Sequence, residues 1–169
     1  MRGKGITYDT GFFGGGPSTH EPFDPDVVRR EMRVIRDDLH CTAVRITGGE
    51  PDRLEIAASH AADAGLEVWF SPFTCDLTTD ELLALLTDCA ARAERLRGQG
   101  AEIVFVAGAE LSLFTAGFLP GATCTARIDA LLKPHPHLRE LLTALPACIN
   151  DFLGTAAAVI RERFGGKLS

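Results

Sequence analysis

Short apolar runs alternate with longer stretches of helical period along this chain, and that alternation limits its fold more than any other feature. "GITY" at 5–8, "AVRIT" at 43–47, "LEVWFSPF" at 66–73 and "AEIVFVAG" at 101–108 are rich in β-branched and aromatic residues, as buried strands are. After the first run, Val27, Val28, Met32, Ile35 and Leu39 fall on one side of a helix over 26–39, with Asp24 as its N-cap and Pro25 in its first turn. A second helix is predicted over 52–64, with Ile56, Ala57 and His60 along one side and Gly65 closing it in the left-handed conformation. A third begins near Thr79 in "TTDELLALLTDCAARAERLRGQG", with acids in its first turn. A helix between successive strands is what a parallel crossover requires, so the pattern predicts a parallel sheet. The strands are near-continuous apolar runs, as expected where both faces are covered.

Two parallel architectures compete. A doubly wound sheet places a glycine-rich phosphate turn directly after its first strand, whereas a barrel carries longer, varied loops at several strand ends. Here "GGGP" at 14–17 stands apart from the first strand and does not open a helix, so it fails the dinucleotide fingerprint. The long segments 10–25 and 109–124 suit a barrel. The expected fold is α/β: the N-terminal half of a (β/α)8 TIM barrel, about four parallel βα units in a single domain over 1–169. Further helices are predicted at 124–132, 137–145 and 147–164, and "GGKLS" could start a fifth strand.

Composition removes several functional classes. With 169 residues, 46% of them hydrophobic, the chain suits one globular domain. Its net charge of −6 and its scattered Lys and Arg offer no basic stripe to nucleic acid or an anionic membrane. The start "MRGKGITYD" lacks a leader pattern, and no run reaches the ~18 apolar residues of a membrane span, so a cytoplasmic protein is expected. Five cysteines at wide, irregular spacing, with no C-x-x-C, argue against a disulfide framework and a zinc knuckle and read as buried thiols. His135 and His137 in "KPHPHL" read as loop, and His20 with Glu21 and Asp24 is the other ligand-like cluster. No metal and no cofactor are expected.

"RITGGEP" at 45–51 follows a strand and enters a helix. Gly48 and Gly49 suit a tight turn, while Glu50 and Asp52 favour the positive end of the helix that Pro51 opens. Locally, "TGGEP" resembles the Gly-Gly-Glu motif of radical S-adenosylmethionine enzymes, which binds the methionyl amine. Those enzymes hold their cluster with three cysteines in C-x-x-x-C-x-x-C after the first strand. Residues 9–23 contain none, which favours the turn-and-cap reading.

A wider resemblance rests on two strand ends. "AVRIT" is similar to the "VRI" of clan-A (β/α)8 glycoside hydrolases, the superfamily of cellulases and β-mannanases, and "VFVAGAELS" is similar to their "G-N-E" signature. The resemblance implies that Arg45 orients the site carboxylates and that Glu110 is the general acid/base; Ala109 stands where the family has asparagine. The run "GLEVWFSPFTCDLTTDELL" with "ERFGGKLS" also resembles actinobacterial barrel proteins labelled abortive infection proteins.

The residues carry an argument of their own. A carboxylate at the C-terminal end of a buried parallel strand is where barrels assemble catalysis, which selects Glu110. Arg45 alternates with Val44 and Ile46 and so faces the other side, where a buried guanidinium needs a carboxylate partner; Glu110 is the expected one. Tyr8 and Asp9 at the first strand end, Phe73 and Asp76 after the third, and Ser112 beside Glu110 are candidate substrate-binding residues, whereas Trp69 and Phe70 read as core. Retaining glycosidases need two carboxylates about 5 Å apart, and the resemblance puts the second at a seventh strand, beyond Ser169. Hence the expectation of homo-oligomerisation, or association with a C-terminal half, around a small-molecule or carbohydrate ligand. The competing readings are a non-catalytic binding or assembly module and a barrel isomerase or lyase using Glu110 as base.

Overall fold

The computed structural model describes residues 3–12, 17–133 and 137–169. Most of the "GGGP" run and His135 therefore lie outside the described residues. Five strands, β1 (Gly5–Asp9), β2 (Ala43–Gly48), β3 (Glu67–Pro72), β4 (Ile103–Phe105) and β5 (Lys167–Leu168), form one sheet in chain order, every neighbouring pair parallel. The helices between them are α1 (Pro25–Asp37), α2 (Pro51–Asp63) and α3 (Thr79–Gly98), followed after β4 by α4 (Leu111–Phe114), α5 (Cys124–Leu132) and α6 (Leu138–Arg161).

The α/β class and the parallel sheet agree with the sequence pattern. β4 is shorter than the apolar run to 108 suggested. Its bonding outlasts the strand, because Val106 N–H donates to Phe70 C=O at 2.9 Å and Ala107 N–H to Ser169 C=O at 2.9 Å. "GGKLS" does supply a fifth strand, though one of only two residues.

Alternation in the strands explains where the core lies. Val44, Ile46, Val68, Phe70, Ile103 and Phe105 are buried, and they pack with Val28, Met32, Leu54, Ala58, Leu86 and Ala90 from α1, α2 and α3. Phe70 and Phe105 stack at 5.9 Å within this layer. Removing such side chains from water, at about 25 cal/mol per Å², is the main force joining helices to sheet.

Caps fix the helix starts. Asp26 N–H donates to Asp24 Oδ1 at 2.8 Å, with Pro25 first in α1 as expected. α3 begins at Thr79, as expected, with Thr78 as its N-cap: Glu81 N–H donates to Thr78 Oγ1 at 3.3 Å while Thr78 N–H donates to Glu81 Oε2 at 2.8 Å, a capping box. Gly65 follows α2 at φ +74°, as its position predicted.

α6 is one helix running through Pro146 where two were expected. Its fully buried side chains, Phe152, Ala156 and Ile160, all lie in its C-terminal half. By length and composition it is long and apolar enough to cross a membrane, although Thr143, Asn150, Asp151 and Thr155 interrupt its apolar residues. The thiols are less uniform than expected: Cys41 and Cys89 are buried, Cys75 and Cys124 half-buried, and Cys148 exposed.

Candidate functional site

The face of the sheet turned away from the helices carries its own ladder of side chains. Register aligns Thr7 with Arg45, Arg45 with Trp69, Trp69 with Val104, and Val104 with Lys167. One tier closer to the strand ends, Asp9, Thr47 and Ser71 align. Arg45 thus faces opposite to Val44 and Ile46, and its Nε donates to Ser71 Oγ at 3.1 Å. Trp69, expected in the core, is half-buried on this open face, where its Nε1 donates to Glu67 Oε1 at 2.7 Å. A groove of about 420 Å³ runs along the tier, lined by Thr7, Ala43, Arg45, Glu67 and Trp69 among others.

The strand ends are drawn together by the Gly-Gly turn. Thr10 N–H donates to Thr47 C=O at 2.8 Å, Gly49 N–H to Gly11 C=O at 2.9 Å, and Phe73 N–H to Gly48 C=O at 2.8 Å, so the ladder continues across three loops. A Cβ on Gly48 would collide with Thr10 Oγ1 and lie 3.0 Å from Gly11 O. Glu50 precedes α2 without bonding its N-terminus through its side chain. The turn therefore fits the structural reading of "TGGEP": glycine is needed where backbones pass close together. The approach also gathers three rings, Phe12 with Phe73 at 4.9 Å, Phe73 with Phe114 at 5.0 Å and Phe12 with Phe114 at 5.8 Å.

The other candidates divide by what already holds them. Asp9 accepts from Gly11 N–H at 2.9 Å and from the Thr19 hydroxyl at 2.5 Å, while its carbonyl accepts from His20 Nδ1 at 2.7 Å. It organises its own loop. Glu21 pairs with Arg53 at 2.7 Å and Asp24 caps α1, so neither turns toward His20 as a ligand set would. Tyr8 points into the helix layer, where its hydroxyl donates to Glu31 Oε2 at 2.5 Å; burial, then that bond, push the phenol well above its ordinary range. His137 contacts Glu140 at 3.2 Å on the surface.

Glu110 and Arg45 are not paired: among the described residues no ion pair joins them. Glu110 is exposed at the start of α4, with φ 51° and a carbonyl accepting from Leu113 and Phe114 N–H groups, both at 3.1 Å. Its side chain therefore stands in solvent and not in a buried strand-end site. Ser112 lies half-buried in the same short helix.

Asp76 is bound to a residue that sequence reasoning missed. Arg127, fully buried on α5, pairs with its carboxylate and donates to Leu113 C=O at 2.5 Å, Gly121 C=O at 3.0 Å and Phe114 C=O at 3.2 Å. Asp76 N–H also donates to Phe114 C=O at 2.8 Å. Arg127 thus ties together the loop after β3, α4 and α5. A signal was present: it is the first charged residue after Glu110, following a long uncharged stretch.

The structure therefore brings together Arg45, Ser71, Trp69 and Glu67 on the open face, with Phe12, Phe73 and Phe114 at the strand ends. It assigns Tyr8, Asp9 and Asp76 to internal bonds. No family model matches the sequence, and no curated protein matches it significantly.

Proposed function

We propose that this chain is a barrel-like module whose open sheet face binds a carbohydrate or a similar polyhydroxylated small molecule. One observation carries the reading: a guanidinium, an indole and a carboxylate lie side by side on a sheet face left uncovered by α1, α2 and α3. Aromatic surfaces suit the apolar faces of sugar rings, and charged hydrogen bonds suit their hydroxyls. Strands in chain order with helices on one side are the units from which a (β/α)8 barrel is built, which supports the half-barrel reading. Glu110 remains the candidate general acid/base and Arg45 the orienting cation. Glycoside cleavage needs a second carboxylate, and Asp9 and Asp76 are engaged elsewhere. Binding is accordingly the function proposed for this chain, and turnover would draw on a carboxylate from another segment or copy.

Trp69 is the sole tryptophan, so its fluorescence reports on the groove. Titration with cello- and manno-oligosaccharides is expected to give a saturable change. Arg45→Met should weaken binding by about tenfold to a hundredfold, the worth of a charged hydrogen bond, with an unchanged circular dichroism spectrum. A wild-type signal that stays flat with every glycan would remove the carbohydrate reading.

A further inference from the structure

Two of the five cysteines meet although they are far apart in sequence. Cys75 follows β3 in the loop "FTCD", and Cys124 is the first residue of α5. The Cys75 thiol has the Cys124 thiol and the Asp76 carboxylate as its immediate neighbours. Both thiols are half-buried, so a small solute can reach them, whereas Cys41 and Cys89 are buried in the core.

Their meeting is fixed from two sides. Asp76, next to Cys75, pairs with Arg127, which is one helical turn beyond Cys124 on the same face of α5. Nearby, Ala116 N–H donates to Leu77 C=O at 2.8 Å, and Thr78 and Ala116 form a parallel bridge. The two segments are thus clamped by a buried ion pair and a short backbone ladder, independently of the sulfurs.

We propose that Cys75 and Cys124 form a reversible disulfide, with a hydroperoxide as oxidant. One sulfur attacks the terminal peroxide oxygen; the O–O bond breaks, the alcohol or water leaves, and a sulfenic acid remains. The second sulfur then attacks the first, the S–O bond breaks, water leaves and the S–S bond forms. Two thiols lose two electrons in all, and the peroxide gains them. Burial, then the neighbouring Asp76 carboxylate, push the Cys75 thiol up to about 11, so at neutral pH it is almost wholly protonated and reacts slowly. The bond would lock the loop after β3 to α5, beside Phe73 and Phe114.

The test exposes the full chain to hydrogen peroxide, then maps peptides by mass spectrometry without reductant. The expected product is a Cys75–Cys124 crosslinked peptide that has lost two hydrogens and is reversed by dithiothreitol. The midpoint of thermal unfolding should rise by about 5–15 °C on oxidation, given the usual stabilisation by a disulfide and this chain length. Cys75→Ser and Cys124→Ser should each abolish the crosslink and the shift, and Cys148→Ser should leave both intact. Sulfinic acid on either thiol without the crosslink, a crosslink through Cys148, or folded protein that stays uncrosslinked would each overturn the proposal.

Discussion

Single residues at the strand ends decide how closely the loops can meet. Gly48→Ala would set a methyl against Thr10 Oγ1 and 3.0 Å from Gly11 O, and overpacking of this kind costs about 1–3 kcal/mol. Urea denaturation should show that loss, and a smaller increment when Gly48→Ala is made in a Thr10→Ala background, because one colliding atom is then absent. Arg127→Met should cost about 3 kcal/mol or more, since three backbone carbonyls and Asp76 lose their donor in a buried site. Arg127→Lys should recover little, because an ammonium cannot span a fork of this geometry; a midpoint close to the native one would show the fork to be dispensable. The turn at Gly48 and the outward face of Arg45 were legible, because tight turns and strand alternation are local rules. Arg127 was not legible as an anchor, because its partners Leu113, Phe114, Gly121 and Asp76 come together only in the folded chain.

Helix starts follow rules nearly as local, and their energies can be tested one at a time. Thr78→Ala removes half of the capping box and should cost about 1 kcal/mol, read as a shift in the urea midpoint. Within α3, burial pushes the Cys89 thiol up to about 12, with Asp88 adding to the effect. The folded chain then holds that proton more tightly than the unfolded one, whose cysteine titrates near its ordinary value of 9.0. Stability from this group is complete below about pH 9 and is lost as pH rises toward about 12. Cys89→Ala should lower stability at neutral pH yet flatten its decline above about pH 9, whereas an unchanged alkaline slope would assign the loss to other groups. At the acid end, Glu94 is held down at about 2 by Arg97 and then by Gly165 N–H; what it contributes is present above its ordinary 4.5 and is lost as pH falls from there toward about 2. Periodicity and caps made α1, α2, α3 and α5 readable in the sequence. β4 and α4 were less so: pairing with a two-residue β5 limits the former, and the latter is a single turn begun by a left-handed Glu110, too short for any period to appear.

Across the whole molecule, the sheet has one face under helices and one face with Arg45 and Trp69 half-exposed, and it ends at one edge in β1, where Ile6 is 43% exposed. Unpaired edges and half-covered faces favour association. We expect a second copy or another segment to bury well over about 1,000 Å², with sedimentation coefficients that rise with concentration and Trp69 emission that shifts blue alongside. A monomer at every concentration, with constant emission, would show that the face is stable in water by itself. The chain-order sheet also suits assembly during synthesis. Each strand lies beside the strand made just before it, so no gap has to be held open for a segment still inside the ribosome. β2 can settle on β1, then β3 on β2, each with the helix that precedes it, and every step adds apolar contact to a surface already formed. Assembly can therefore keep pace with translation from the N-terminus. Since contacts between adjacent units close short loops first, nascent chains released after α3 should already protect the amides of β2 from hydrogen exchange.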